Sequence, residues 1–136
     1  MNSIKGKFAL VTGGTQGLGA AIAKNFAENG AEGIITIGRK EEKGKEVAKK
    51  IQEETGCKVI FVKTDLPNVQ ECRNAVTVAK KNFGKLDVLV NAAGITDRGN
   101  IVNTSEELFD KMIGTNVKGP FFLIQETVKI MIDQGI

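Results

Sequence analysis

The amino-acid sequence predicts an α/β fold, in which a parallel sheet is covered by helices on both faces. Two observations predict it. Four short runs rich in Val, Ile and Leu alternate with longer segments whose apolar residues recur at helical spacing. The runs are continuously apolar, which is typical of parallel strands buried on both faces. The length of 136 residues suits a single domain.

The first two predicted strands are each followed by a helix. A strand is predicted over Lys7–Thr12, and the apolar spacing after it predicts a helix that ends near Gly30. The second strand, Gly33–Gly38, leads into a helix over Glu41–Gly56. That helix carries glutamates four residues before lysines, a spacing that stabilises an exposed helix face.

The third strand is predicted over Lys58–Asp65. Asn68 and Glu71 then resemble a capping box, in which a polar side chain and an acid three residues later satisfy free amides at a helix start. One apolar stripe follows at the spacing of a helix that packs on a sheet. The stripe consists of Cys72, Ala75, Val76, Ala79 and Phe83.

The fourth strand, Leu86–Asn91, precedes a long helical segment. Thr104 and Glu107 form a second capping box, which predicts a helix that runs with one interruption to about Gln134. Pro120 predicts the interruption, because proline has no N–H to donate to the carbonyl four residues earlier.

Right-handed crossovers place these strands in the order 3-2-1-4, in a doubly wound, three-layer α/β/α arrangement. The switch point of such a sheet, where ligands bind, lies between the first and fourth strands. Two loops of small residues meet there, Gly13–Gly19 and Asn91–Gly94. The fourth strand is an apolar edge, which proteins normally cover. We therefore expect residues 1–136 to form a domain whose C-terminal strands are missing from this chain.

Composition and charge argue against several classes of function. The net charge is only +3 and the chain has no Trp or Tyr for base stacking, so no nucleic-acid partner is expected. No apolar run approaches the length of a membrane span, and the N-terminus lacks a signal-peptide core, so we expect a cytoplasmic protein without a membrane partner. Cys57 and Cys72 are too few for a disulfide framework and are not spaced as metal ligands, so no metal is expected.

The glycines after the first strand follow the pattern Gly13-x-x-x-Gly17-x-Gly19. A helix N-terminus has free N–H groups and a partial positive charge that attract phosphate, and glycine leaves room for a pyrophosphate to reach them. The pattern therefore favours a dinucleotide site of the Rossmann type. On these residues alone, a tight glycine turn without a ligand is the alternative.

Four motifs together resemble the short-chain dehydrogenase/reductase family. They are TGGTQGLG (Thr12–Gly19), Asp65-Leu66, NAAG (Asn91–Gly94) and N-V-x-G (Asn116–Gly119), and they follow the family's order. The resemblance extends over essentially the whole chain. It implies a single NAD(P)-binding Rossmann domain over residues 1–136, and an oxidoreductase that transfers a hydride between the cofactor and a small carbonyl or alcohol substrate.

The resemblance also implies a role for each matching residue. Asp65 would accept a hydrogen bond from the adenine amino group, although its position before Pro67 is equally that of a turn residue. The loop after the fourth strand would pass beneath the adenosine and ribose. The implied cofactor-binding residues are Gly13, Thr15, Gln16, Gly17, Leu18, Gly19, Asp65, Leu66, Asn91, Ala92, Ala93 and Gly94.

Arg39 predicts which nicotinamide cofactor is bound. It stands 20 residues after Gly19, where an acid would hold the 2′-hydroxyl of NAD and an Arg accommodates the 2′-phosphate of NADP. The small Gly38 leaves room for that phosphate. We therefore expect NADP, with NAD as the alternative cofactor. The alternative is that Arg39 is a surface residue at the end of a strand and binds no phosphate.

By the same resemblance, Asn116 is a catalytic residue whose backbone carbonyl holds a water in a proton relay. The residues themselves support a free carbonyl there, because Pro120 cannot donate to it. A kink that only accommodates the packing of Phe121 and Phe122 is the alternative.

In the family a Tyr assisted by a Lys supplies the proton and a Ser polarises the substrate oxygen, but this chain contains no Tyr and no His. We therefore expect the cofactor-binding N-terminal portion of a dehydrogenase, inactive alone and homo-oligomeric at full length. Two alternatives are a non-catalytic NADP(H)-binding module and an inactive short relative that acts through association.

Overall fold

Residues 3–97 and 99–135 are described by a computed structural model of the chain. Four parallel strands form one sheet in the order β3-β2-β1-β4, which confirms the predicted topology. Leu10 in the centre of the sheet pairs with Ile35 on one side and Leu89 on the other. The strands are β1 (Phe8–Thr12), β2 (Gly33–Gly38), β3 (Lys58–Lys63) and β4 (Val88–Val90).

Among the described residues, five α-helices connect or follow the strands. Gly56 and Gly84 end the second and third of them in the left-handed conformation, with φ of 77° and 76°, which only glycine adopts without strain. The helices are α1 (Gly17–Glu28), α2 (Glu41–Thr55), α3 (Val69–Phe83), α4 (Glu106–Ile113) and α5 (Gly119–Asp133).

Helices cover both faces of the sheet, as the continuously apolar strands predict. Because successive strand residues point to opposite faces, Leu10 and Val11 belong to different cores. Leu10 packs in a cluster with residues of α3 and α5, among them Val76 and Leu123. Val11 packs in a cluster with residues of α1 and α2, among them Ala23. The result is the predicted three-layer α/β/α arrangement.

The fourth strand is shorter than predicted. Leu86 is fully buried, but its backbone N–H and C=O bond the side-chain amide of Gln134, at 2.8 and 3.2 Å. After Val90 the chain leaves the sheet, and the N–H of Ala93 donates to the hydroxyl of Thr12 at 2.9 Å. At both ends of β4, side chains thus make hydrogen bonds to backbone groups that a longer strand would have paired with its neighbour.

The predicted cap of the fourth helix is wrong by one residue. Ser105, not Thr104, caps α4, and its hydroxyl accepts the N–H of Leu108 at 3.1 Å. The Thr104 hydroxyl instead donates to the carbonyl of Asn100 at 2.7 Å, inside the preceding turn. The backbone N–H of Thr104 donates to the same carbonyl at 3.1 Å, so Thr104 belongs to the preceding turn and Ser105 is the residue at the helix start.

The predicted interruption is a π-helical turn, Gly114–Lys118, between α4 and α5. Its defining bond runs from the N–H of Gly119 to the carbonyl of Gly114, five residues earlier. Pro120 follows at the start of α5, where its missing N–H is tolerated. Within the described residues, no helix is both long and apolar enough to cross a membrane.

A tight contact fixes α2 on the sheet. A Cβ at Gly44 would overlap the ring of Phe61, which lies on β3 and is 9% exposed. We expect Gly44→Ala to destabilise the chain by up to about 2 kcal/mol, because overpacking of about 1–3 kcal/mol outweighs the usual helical advantage of Ala of about 1 kcal/mol. Urea unfolding measures the change.

The matched control is the double variant Gly44→Ala with Phe61→Leu. The shorter side chain removes Cε2 and Cζ, the two ring atoms nearest the added Cβ, so the two changes should couple favourably by at least about 0.5 kcal/mol. Simple additivity of the two single effects would contradict this account of the contact.

Candidate functional site

A crevice of about 280 Å³ opens at the carboxyl ends of the strands. It lies where β1 and β4 diverge, the switch point predicted from the strand order. Every predicted cofactor-binding residue except Asn91 lines it, namely Gly13, Thr15, Gln16, Gly17, Leu18, Gly19, Arg39, Asp65, Leu66, Ala92, Ala93 and Gly94.

Glycines build the floor of the crevice. Gly13 has a φ of 71°, and a Cβ there would lie 3.2 Å from the Cα of Ala93 in the opposite loop. A Cβ at Gly19 would overlap the carbonyl of Gly13. Both positions therefore require glycine, the first for its backbone conformation and the second for close packing.

The N-terminus of α1 faces this floor without a side-chain cap. The side chain of Gln16, at the cap position, accepts from the Lys43 ammonium at 2.9 Å instead of from the helix amides. The first turn of α1 carries no acidic side chain. Free amides and an uncompensated positive helix end give this turn the chemistry of an anion site.

The rim at the end of β2 is positively charged. Among the residues that the structure describes, the guanidinium of Arg39 has no hydrogen-bond or ion-pair partner. Gly38 beside it packs closely, since a Cβ there would lie 2.9 Å from the Cγ2 of Thr15. An unpaired guanidinium next to a small residue suits a phosphate that enters the crevice.

The rim at the end of β3 is a turn with a free carboxylate. The backbone of Asp65 is held on both sides, because its N–H donates to Glu71 and its carbonyl accepts from Asn68. The carboxylate of Asp65 itself has no hydrogen-bond or ion-pair partner in the described part of the chain. It is an available acceptor for a ligand N–H.

The loop after β4 forms the remaining wall of the crevice, and the side chain of Asn116 bonds the backbone of this loop. The side-chain amide of Asn116 donates to the carbonyl of Ile95 at 2.8 Å and accepts the N–H of Ile95 at 2.9 Å. Asn116 lies outside the crevice lining, and Asn91 is exposed at the end of β4. A catalytic role for Asn116 and a cofactor contact for Asn91 both stay predictions.

Two glycines seat the π-helical turn against the Asp65 segment. A Cβ at Gly114 would lie 2.8 Å from Pro67, and one at Gly119 would lie 2.5 Å from the carbonyl of Leu66. The turn that carries Asn116 and the turn that carries Asp65 therefore pack directly on each other.

Sequence reasoning missed four further residues of the crevice lining. Ile37 and Thr64 lie at the carboxyl ends of β2 and β3, so the strand-end rule applied to those strands would have found them. Ile95 and Thr115 reach the crevice through the loop after β4 and the π-helical turn, and no motif signals them.

The two cysteines are buried and not bonded to each other. Cys72 lies beneath the site, where its thiol donates to the carbonyl of Leu66 at 3.4 Å. Burial raises the pKa of Cys72 from its ordinary 9.0 to about 11, with a smaller contribution from the charge of Glu71. The thiol is therefore protonated, and able to donate, at neutral pH. No group of three or more potential metal ligands occurs among the described residues.

Comparison with known sequences identifies the family. The family model described as short chain dehydrogenase matches residues 7–136, nearly the whole chain. The chain belongs to this family. An oxidoreductase of Thermotoga maritima, itself named as uncharacterized, is 42% identical over 133 residues, which are 98% of this chain and 51% of that protein. Short-chain dehydrogenase reductase 3a of Arabidopsis thaliana is 32% identical, with 97% and 50% of the two chains covered.

Solved structures of short-chain dehydrogenases share the fold. L-sorbose reductase from Gluconobacter frateurii, complexed with NADPH and L-sorbose, superposes with a TM-score of 0.93 at 30% identity, over 98% of this chain and 50% of that one. A short chain dehydrogenase from Burkholderia cenocepacia in complex with NADP gives a TM-score of 0.87 at 35% identity, over 95% and 52%. The chain spans about half the length of the relatives it matches.

The raised pKa of Cys72 predicts a pH dependence of stability. The folded chain holds the thiol proton more tightly than the unfolded chain, so this contribution is complete below the ordinary pKa of 9.0 and is lost as the pH rises through about 11. We expect the free energy of unfolding of Cys72→Ala to fall less steeply over that pH window than that of the parent chain. Urea unfolding at a series of pH values measures both slopes.

Cys57→Ala is the matched control. It removes the other buried thiol, whose pKa burial also raises, and should leave the component due to Cys72 in place. Identical slopes for Cys72→Ala and the parent chain would contradict the assignment.

Proposed function

We propose that this chain binds NADP(H) in the crevice and forms the cofactor-binding part of an oxidoreductase that acts on carbonyl or alcohol groups. One observation carries the proposal: the same crevice is lined by a guanidinium and a carboxylate that have no partner among the described residues, and by a glycine floor under an uncapped helix end. The NADPH and NADP complexes of related structures support the same cofactor.

Each part of the crevice fits one part of a dinucleotide. The amides at the start of α1 would hold the pyrophosphate, and no side chain at Gly13 or Gly19 obstructs it. Arg39 would hold a 2′-phosphate on the adenosine ribose. Asp65 would accept the adenine amino group. Ala92 and Ala93 are small enough to lie beneath the nucleoside.

When bound, the cofactor supplies the hydride of the reaction. The described residues orient it, and Asn116 fixes the loop after β4 through both backbone groups of Ile95. The 136 residues contain no Tyr and no His, so the family's Tyr-x-x-x-Lys motif is not among them. We assign cofactor binding to this chain and turnover to a protein that contains both parts.

A non-catalytic NADP(H)-binding module is the second candidate, and the lack of Tyr and His favours it. The two candidates agree on binding and differ in turnover. A protein that contains this chain together with the Tyr-x-x-x-Lys motif and oxidises NADPH in the presence of a carbonyl compound supports the first. NADPH binding by a natural protein that is this chain alone supports the second.

We further propose a cytoplasmic protein that self-associates. Two buried, unpaired thiols are typical of a reducing compartment. Along α4, the π-helical turn and α5, large apolar side chains recur every three or four residues and are exposed, which suits a helix-to-helix contact between two copies. They are Phe109, Ile113, Val117, Phe121, Ile124, Val128 and Ile132, here called the apolar stripe.

We expect Arg39→Ala to weaken NADPH binding by about 10- to 150-fold, the worth of a charge-assisted hydrogen bond, and to change NADH binding little. Titration calorimetry with both cofactors measures the two dissociation constants. Lys45→Ala is the matched control, since it removes the same charge from a side chain that is paired with Glu41 at 2.9 Å. Equal losses for NADPH and NADH in Arg39→Ala would overturn the 2′-phosphate assignment.

We expect Phe121→Glu to shift the chain towards the monomer, because it places a charge within the apolar stripe at a side chain that is 58% exposed. Sedimentation velocity over a range of concentrations measures the shift. Lys111→Glu, an acidic change at another exposed position on the opposite side of α4, should leave the association unchanged. A parent chain that is monomeric at all concentrations would refute self-association along the stripe.

A further inference from the structure

We infer that Glu71 is a positioning residue for adenine recognition, and that it acts by fixing the peptide of Asp65. The inference rests on the proposed function, because it takes Asp65 as the group that meets the adenine amino group. It assigns a role to a side chain that does not line the crevice.

The contact is direct and joins the helix to the binding turn. The N–H of Asp65 donates to the Oε1 of Glu71 at 3.1 Å. On the other side of the residue, the carbonyl of Asp65 accepts the N–H of Asn68 at 2.9 Å. Asp65 is thus held at both backbone groups, and its carboxylate keeps the freedom to accept a bond from a ligand.

The geometry differs from that of an ordinary capping box. In that motif the acid at the third helical position returns to the N–H of the capping residue itself. Here Asn68 caps α3, and its side chain accepts the N–H of Glu71 at 3.1 Å. The N–H of Asn68, however, bonds the Asp65 carbonyl. The Glu71 carboxylate therefore reaches three residues further back, to the residue at the rim of the crevice.

The neighbouring residue, Leu66, is held by contacts that do not involve Glu71. The Leu66 carbonyl accepts the Cys72 thiol at 3.4 Å, and a Cβ at Gly119 would lie 2.5 Å from the same oxygen. The Asp65 end of the turn depends on the partly buried side chain of Glu71. Loss of the Glu71 side chain should leave the turn in place, but the Asp65 carboxylate would no longer be held in one direction.

Adenine and hypoxanthine provide the test. Adenine presents an amino group to a carboxylate, whereas the 6-oxo analogue presents a carbonyl, so an oriented Asp65 discriminates between them. We expect the parent chain to bind NADPH at least about tenfold more tightly than reduced nicotinamide hypoxanthine dinucleotide phosphate, the worth of one charge-assisted bond. Glu71→Ala should reduce this preference to less than about threefold. Glu71→Gln retains an acceptor oxygen and should preserve the preference.

Ser105→Ala is the control for stability, because it also removes a side-chain acceptor of one backbone N–H at a helix start, that of α4, and Ser105 does not line the crevice. It should lower the melting temperature and keep the discrimination between the two analogues. Full discrimination in Glu71→Ala would overturn the inference and leave the bond between Asp65 and Glu71 with a structural role only. A parent chain that binds both analogues equally would overturn the role of Asp65, and with it that of Glu71, but not dinucleotide binding. Failure of the folded parent chain to bind either compound would overturn the proposed function and this inference together.

Discussion

The close approach of two backbones at the switch point is the constraint on which the rest of the site depends. The turn after β1 and the loop after β4 meet where a Cβ at Gly13 would lie 3.2 Å from Ala93, and the Thr12 hydroxyl accepts the Ala93 N–H across the same gap. This contact brings the start of α1 and the wall of the crevice within reach of one ligand. Both turns must leave the sheet at the same edge. A parallel sheet in which β1 lies next to β4 meets this requirement.

The second half of the site depends on packing between segments that are distant in sequence. Pro67 contacts Gly114, and the Leu66 carbonyl lies against Gly119, at the two ends of the π-helical turn. The turn that carries Asp65 and the turn that carries Asn116 therefore form one unit, even though strand β4 and helix α4 lie between them in the chain. A local distortion of the helix here has a structural use, since it presents Asn116 to the loop after β4.

Periodicity and glycine spacing were sufficient to predict most of the fold and the position of the crevice. The continuous apolar runs at Leu10–Val11 and Ile34–Ile35 predict burial on both faces, and each residue of these pairs does pack in a different core. Two kinds of feature could not be predicted. One is the choice between neighbouring residues of similar propensity, and the other is a contact between segments that are distant in sequence. Thr104 and Ser105 have similar capping propensities, and only the preceding turn decides between them. Thr115 reaches the crevice from the π-helical turn, and the packing of that turn on Leu66 and Pro67 is a contact between segments distant in sequence.

The edge strand β4 has three residues, too few for its ladder to determine its alignment alone. Side chains outside the ladder hold it: the Gln134 amide bonds both backbone groups of Leu86, and the Asp87 carboxylate accepts the Phe8 N–H at 2.9 Å. A slip of two residues would keep every side chain on its own face, yet would move the following loop by about 7 Å along the strand. The position of the loop that borders the crevice therefore depends in part on the opposite end of the sheet, where Gln134 and Asp87 hold β4 in register.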